Sequence, residues 1–255
     1  MEIGYITDIG KVRTENQDRC LILKRKVGTE DMLLCMVADG MGGTGNGGFA
    51  SQTVTEQMQN WWNRKLPELL EKPEIHAYIS QSLNQNILQW NHMIYQQSKR
   101  CFISTGTTLS LLFAYQNQAV LKQIGDSRIY LERDKEWIQL TTDQTWEQQE
   151  IAKGKNPLLD KDFNKKKGAL TNALGTAKSC RIATQMMQMA YQDRYLICSD
   201  GFYRYIHPET DLKDSEQTAQ SILEDMAEKI QTTPANDNYT AILIHYKKSQ
   251  EDNKR

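Results

Sequence analysis

Histidine, cysteine and long apolar runs are scarce in this chain, and each scarcity removes a class of function. The four histidines, His76, His92, His207 and His245, show no paired metal spacing, which disfavours zinc. The five cysteines (Cys20, Cys35, Cys101, Cys180 and Cys198) are odd in number, lack C-x-x-C spacing and mostly lie in apolar runs. Disulfides are therefore not expected, and the thiols read as reduced and buried, as in the cytosol. No apolar run approaches the roughly 18 residues of a membrane span, and the opening MEIGYITDIG has neither a charged leader region nor a long apolar one. A formal net charge of −1 gives no basic field, so neither nucleic acid nor an anionic membrane is expected as a partner. The chain reads as soluble and cytoplasmic, and 255 residues suffice for one domain with an adequate core.

Two helical stripes are present early. Apolar residues from Phe49 to Leu70 fall at three-and-four spacing, and Ile75, Ile79, Leu83, Ile87, Trp90 and Ile94 continue after a break at Pro73. The spacing predicts two neighbouring helices on one face of a sheet, with the tryptophans in the core. Strand-like runs follow at 107–115, 119–124, 127–132 and 137–140, joined by short turns, and predict a meander. A polar, lysine-bearing excursion spans 142–168. Strands resume at 181–191 and 194–199, a last helix covers about 215–230, and a final strand covers 239–246 before the polar tail KKSQEDNKR, expected to be frayed. Runs of adjacent strands with paired helices predict an α+β layered sandwich and argue against a doubly wound parallel sheet.

One motif is a decoy. In LLCMVADGMGGTGNGG, Gly40, Gly42 and Gly45 satisfy G-x-G-x-x-G between a strand-like and a helix-like run, the context of a dinucleotide-binding turn. No acidic residue ends a second strand about 20 residues on, as that reading requires. Aspartates recur at strand ends instead. Asp39 follows MVA, Asp126 follows KQIG, Asp200 follows YLICS, Asp237 precedes the last strand, and Asp18 precedes the run from Cys20 to Leu23. One such aspartate is ordinary turn chemistry. Five at sheet edges would repel one another unless a cation neutralised them, and an all-oxygen donor set selects hard ions such as Mg²⁺ or Mn²⁺.

TDIGKVRTENQD, VADGMGG followed by AS, STGTTLSLL, QIGDSRIYL, LTTDQ, LTNALG, LICSDG and DNYTAILI, in this order, resemble the metal-dependent protein serine/threonine phosphatases of type 2C in their bacterial form. The resemblance spans nearly the whole chain. It implies a four-layer αββα sandwich, two central antiparallel sheets flanked by helix pairs, as a single domain over 1–246 with a flap at about 142–168 and a tail at 247–255. It also implies two ions of Mn²⁺ or Mg²⁺ in the cleft, with a third, weaker position. By similarity Asp39 bridges both metals, the Gly40 carbonyl completes one shell, Asp200 and Asp237 hold the first metal, and Asp18 reaches the centre through water. Asp126 with Asp200 matches the third position, and Arg13 matches the arginine that grips the substrate phosphate. The implied reaction is hydrolysis of phosphoserine and phosphothreonine on proteins by a metal-bridging hydroxide. The implied partners are phosphoproteins and a cognate serine/threonine kinase, and the expected state is a monomer.

The chain departs from the pattern at three places. Met41 stands where eukaryotic members carry a histidine, so leaving-group protonation falls to metal-bound water or another group, with His207 a remote candidate. Gln144 stands where a histidine is usual, and Gly47-Gly48 where Gly-Glu is commoner, which bears on the flap. Two rivals remain. Cys198 and Arg204 satisfy the C-x₅-R loop of thiol phosphatases, against which stand the apolar strand around Cys198 and the negative charge of Asp200. The other rival is a non-catalytic relative that binds without turnover, against which stands the complete set of matched carboxylates and Arg13.

Overall fold

Several strands of this chain are apolar on both faces, and that property sets the layering. The molecule is a computed structural model describing residues 1–42, 47–212 and 217–247. Strands β1 (Glu2–Asp8), β2 (Arg19–Val27), β3 (Glu30–Ala38) and β4 (Gly40–Met41) precede helices α1 (Gly47–Arg64), α2 (Leu66–Leu69) and α3 (Ile75–Cys101). Next come β5 (Gly106–Thr107), β6 (Leu109–Tyr115), β7 (Gln118–Ile124), β8 (Arg128–Arg133) and β9 (Glu136–Gln139), then α4 (Trp146–Ala152) and α5 (Phe163–Lys166). The chain closes with β10 (Ala183–Gln188), β11 (Arg194–Cys198), α6 (Asp200–Tyr203), α7 (Pro208–Asp211), α8 (Ala219–Gln231) and β12 (Tyr239–His245).

Two five-stranded antiparallel sheets result, ordered β1-β12-β11-β8-β9 and β10-β7-β6-β3-β2, beside a small β4-β5 pair. In β3, Met32, Leu34, Met36 and Ala38 join the cluster shared with Trp61, Ile79, Leu83 and Ile87 of the helices. The alternate residues Leu33, Cys35 and Val37 pack instead with Ile197, Ile242 and Ile244 of the opposite sheet. Likewise Tyr239, Ala241 and Leu243 of β12 face Ile222, Leu223 and Ile230 of α8, while Ile242 and Ile244 face inward. The layers are therefore α1 with α3, sheet, sheet, and α8 with the short α6 and α7, the α+β αββα sandwich expected. Each fully buried Leu or Ile contributes about 1.5–3 kcal/mol, and the period of two leaves both inner and outer faces dry.

Three boundaries differ from the sequence reading. The stripe from Phe49 to Leu70 is split after Arg64, because Pro67 has no N–H to give to the carbonyl four residues back. The second helix outlasts its apolar stripe and runs to Cys101. It ends where Phe102 takes a left-handed φ of 54° and the Ile103 N–H bonds to the Ser98 carbonyl. The predicted meander is two hairpins in different sheets. β6 and β7 turn through Gln116 and Asn117, both at positive φ, whereas β8 pairs with β9 and β11 across the sandwich. The crossing occurs at Gly125-Asp126-Ser127, where Gly125 takes φ +94°. The start of the last predicted helix at Ser215 and the tail beyond Lys247 lie outside the described residues.

The pairing registers put the ends of β1, β3, β7 and β11 and the starts of β2, β6, β8 and β12 at one end of the sandwich. This end carries the aspartates. Among the described residues no helix is long and apolar enough to cross a membrane.

A buried cation inside this core gives a stability test. Lys122 lies between Val120 and Ile124 on β7, is fully buried, and donates from Nζ to Ser80 Oγ at 2.7 Å and Thr184 Oγ1 at 2.9 Å. Burial pushes its amine down from 10.5 to about 8. Between those values the unfolded chain binds a proton that the folded chain has released, so this residue's contribution to stability rises with pH across that window. Wild type should gain on Lys122→Met by up to roughly 3 kcal/mol from pH 8 to pH 10. Denaturant unfolding at pH 7, 8.5 and 10 measures this, and parallel profiles for the two proteins would refute it.

Candidate metal centre

Asp39 follows β3 directly, and its backbone is pinned on both sides. Its N–H donates to Thr108 Oγ1 at 2.9 Å, and its carbonyl accepts from Thr107 Oγ1 at 3.0 Å and the Thr108 N–H at 2.9 Å. Thr108 Oγ1 lies 2.7 Å from Ser127 Oγ, and Ser110 Oγ donates to the Ser127 carbonyl at 2.6 Å. The hydroxyls of STGTT therefore tie Asp39 to the crossing that presents Asp126. Gln144 holds the other side of that crossing. Its Oε1 accepts from the Gly125 N–H at 2.9 Å, its N–H donates to the Gly125 carbonyl at 3.0 Å, and its carbonyl accepts from the Thr171 N–H at 2.8 Å. The flap base is thereby joined to the Asp126 turn.

Asn238 organises the opposite wall. Its Nδ2 donates to the Ile9 and Glu15 carbonyls at 2.9 and 3.0 Å, and its Oδ1 accepts from the Gln17 N–H at 2.9 Å. The loop bearing Arg13 is thus clipped to Asp237. Asp18 is almost fully buried behind the cleft and accepts from Ser199 Oγ at 2.8 Å. Gly201 is required by close approach, since a Cβ there would lie 2.0 Å from the Asn238 carbonyl oxygen.

Six predicted residues, Arg13, Asp39, Gly40, Asp126, Asp200 and Asp237, line one cavity of about 340 Å³. Asp18 stands behind it. A cavity of about 520 Å³ beside α4 and one of about 750 Å³ at the far end of the strands are larger. In the latter, two ion pairs are formed within the lining, Arg194 with Glu132 and Arg133 with Asp193. Of these three, formed by described residues, the 340 Å³ cavity is the one that gathers Asp39, Asp126, Asp200 and Asp237.

Burial and then the charges of Asp18, Asp200, Asp126 and Asp237 push the Asp39 carboxyl well above the usual range. Burial, then Asp200 and Asp143, raise Asp126 to about 7. Burial also raises Asp200 and Asp18, against the Arg204 charge in the first case and the Ser199 hydrogen bond in the second. Such a group is electrostatically under-neutralised, and its donors are all oxygen, which fits a hard divalent cation. Among the described residues no trio of His, Cys, Asp or Glu is already arranged as a ligand group. Two of the carboxylates are engaged by arginines instead. Arg13 Nε and Nη2 bond the two oxygens of Asp237 at 2.8 and 2.9 Å, and Arg204 bonds Asp200 and approaches Asp237 at 3.8 Å.

Several residues here had no role assigned from sequence: Thr107, Thr108, Ser199, Asn238 and Arg204. The first two lay within a recognised motif and Asn238 beside Asp237, but hydroxyl and amide partners reached across the sheets are not visible as spacing. Arg204 lies four residues after Asp200, an ion-pair spacing that was readable. The glycine fingerprint is not a phosphate cradle. A Cβ on Gly40 would lie 2.5 Å from the Gln17 carbonyl, so its glycine serves backbone approach, and Glu15 stands against Gly48 at the start of α1. Gly45 lies outside the described residues. His207 is exposed, with its N–H on Asp211. All five cysteines are free, Cys35 and Cys198 buried, Cys101 exposed and Cys20 and Cys180 partly buried, so burial holds for fewer thiols than their apolar surroundings suggested.

A layered sandwich with an aspartate cleft at one end defines a class, the metal-centred phosphoester hydrolases of this architecture. The sequence pattern described as protein phosphatase 2C matches residues 11–243. The chain is 27% identical over 247 residues to the serine/threonine phosphatase stp of Listeria monocytogenes serotype 4b, covering 96% of this chain and 95% of that one. It is 30% identical over 207 residues to the protein phosphatase PhpP of Streptococcus pneumoniae, covering 81% and 80%. The Mycobacterium tuberculosis serine/threonine phosphatase PstP/Ppp has a similar structure, with TM-score 0.77 and 26% identity over 97% of this chain and 100% of that one. The catalytic domain of PstP in complex with two manganese ions gives TM-score 0.73 at 26% identity, over 94% and 96%. The chain belongs to the protein phosphatase 2C family, metal-dependent protein serine/threonine phosphatases of the bacterial kind.

The thiol rival is testable at this site. Cys198 is fully buried in the cluster under α8, and burial pushes its thiol far up. We expect an aromatic disulfide reagent to label Cys101 in the native protein and to spare Cys198, and Cys198→Ala to keep its phosphatase activity. Loss of activity in a folded Cys198→Ala protein would reinstate the thiol.

Proposed function

We propose that this chain hydrolyses phosphoserine and phosphothreonine on proteins at the cleft between its two sheets. The observation that supports it best is the convergence there of Asp39, Asp126, Asp200 and Asp237, each from a strand end, with Arg13 on the rim. Asp39 would be shared by two divalent ions with the Gly40 carbonyl beside it, Asp200 and Asp237 would hold one ion, Asp18 would act through water, and Asp126 lies beside Asp200 at the third position. When bound, two such ions lower the pKa of a water between them for attack on phosphorus and offset the charge developing on the phosphoryl oxygens.

The chain's own contribution is orientation. Arg13 spends Nε and one Nη2 proton on Asp237, which leaves Nη1 and the other Nη2 proton as a second edge for phosphate oxygens. Gly168 at the end of the flap and Leu170 just after it wall the cleft and lie where a phosphopeptide would pass. Asp39, buried and raised, resists ionisation on its own and gains most from a cation. We further place the protein in the cytoplasm, consistent with its free thiols, as a monomeric domain over 1–246 acting opposite a serine/threonine kinase.

Release of phosphate from a phosphothreonine peptide should require Mn²⁺ or Mg²⁺ and vanish with excess EDTA. Activity indifferent to EDTA, or absent in the metal-loaded protein, would overturn the reading. Arg13→Ala should raise KM by roughly 10- to 100-fold, the worth of a charged hydrogen-bond pair, with a smaller fall in kcat; an unchanged KM would remove the phosphate role. Asp39→Asn should abolish turnover. Because it removes a carboxyl whose charged form burial and the neighbouring aspartates disfavour, in EDTA it should melt at or above the wild-type temperature, and Mn²⁺ should raise its melting temperature less than that of wild type. A large loss of stability in EDTA would show that Asp39 is structural.

A further inference from the structure

Arg204 has no part in the roles above, yet its guanidinium bonds Asp200 and approaches Asp237 at the mouth of the cleft. It follows α6, and its backbone N–H bonds the Asp200 carbonyl at 3.0 Å. This turn folds the side chain back onto Asp200, with Nη1 3.8 Å from Asp237 Oδ2. Asp126 lines the same cavity as Asp200 and Asp237, the two carboxylates that Arg204 reaches. Nearby cations are committed elsewhere. Arg128 is held by Asp143 at 2.8 Å and stacks on Tyr203 at 3.7 Å, and Arg13 is held by Asp237. The Arg128–Tyr203 contact also braces the turn from which Arg204 projects.

We propose that Arg204 is a built-in cation of this centre, standing in for a third metal beside Asp126 and Asp200, so that the site operates with two ions. The proposal rests on the metal-hydrolase reading and narrows it. A guanidinium stays protonated at every working pH and has no open position for water. It supplies fixed charge independent of metal concentration, repels a further dication, and has Asp200 as its counter-ion on the side that faces Asp126. The tether of four residues keeps it in reach of Asp200 whichever carboxylate oxygens turn toward metal.

Counting Mn²⁺ per chain, by equilibrium dialysis with elemental analysis and by calorimetry up to millimolar Mn²⁺, tests this directly. We expect two ions on the wild type, and a third, weaker ion on Arg204→Asp that is lost again in Arg204→Asp combined with Asp126→Asn. Arg204→Gln keeps the size and removes the charge, and it covers the case of an Arg204→Asp protein that does not fold; it should also admit the third ion, more weakly. Three ions on the wild type, or two on every variant, would overturn the proposal. A count of two throughout with KM raised in Arg204→Gln would show that Arg204 grips phosphate instead. No Mn²⁺ on the wild type would overturn the two-metal reading itself, which separates the two failures.

Discussion

Carboxylates placed side by side in a poorly solvated cleft repel one another, and the architecture at this end of the sandwich holds them there against that repulsion. Asp39 feels four other aspartates as well as its own burial. Such a group would spread apart if it were carried on loops. Here the aspartates leave strands packed on both faces, so moving one means dragging apolar side chains out of two clusters at once. Core packing thus holds the charges together, and the arginines soften the repulsion without removing it.

The position of the site also depends on the contact between the sheets. Asp39 leaves one sheet, Asp200 and Asp237 belong to the other, and Asp126 lies on the segment that passes between them. Distances within the centre are therefore distances between sheets. The inter-sheet cluster around Cys35, Leu112, Ile197 and Ile242 sets them coarsely. The hydroxyl relay from Thr108 to Ser127 and the amide of Gln144 set them finely. A substitution at either level would alter the centre without touching a carboxylate.

Much of this was legible in sequence. Apolar runs ending in aspartate announced both the strands and the place where the site lies, because a buried strand must stop where its polar end meets solvent. The layering was legible for the same reason: adjacent strands without intervening helices leave no way to make a parallel sheet. The crossing at Gly125-Asp126-Ser127 was not legible, since β7 and β8 are separated by a loop as short as a hairpin turn, and only the left-handed Gly125 sends the chain to the other sheet. The last turns of α3 were missed because a helix continues through polar residues until a cap stops it. The site's supporting hydrogen bonds join residues as far apart as 229 positions, Ile9 with Asn238, and no local pattern encodes them.

The two arginines show why a cleft rich in acid can still receive a phosphate. A dianionic phosphomonoester approaching Asp39, Asp126, Asp200 and Asp237 meets like charge, and the approach is favourable only if the cleft's field is reversed first. Arg13 offsets part of that charge at the rim, with one edge on Asp237 and one edge outward, and on the proposed role the same residue would also meet the ligand. Arg204 offsets a further part beside it, bonded to Asp200 and 3.8 Å from Asp237. Because Arg13 and Arg204 both reach Asp237, a change in that carboxylate's orientation is felt by both. On the proposed roles, metal binding at Asp237, the outward edge of Arg13 and the placing of the Arg204 charge would be coupled through one side chain, and the affinity for phosphate would depend on how Asp237 divides its two oxygens among them.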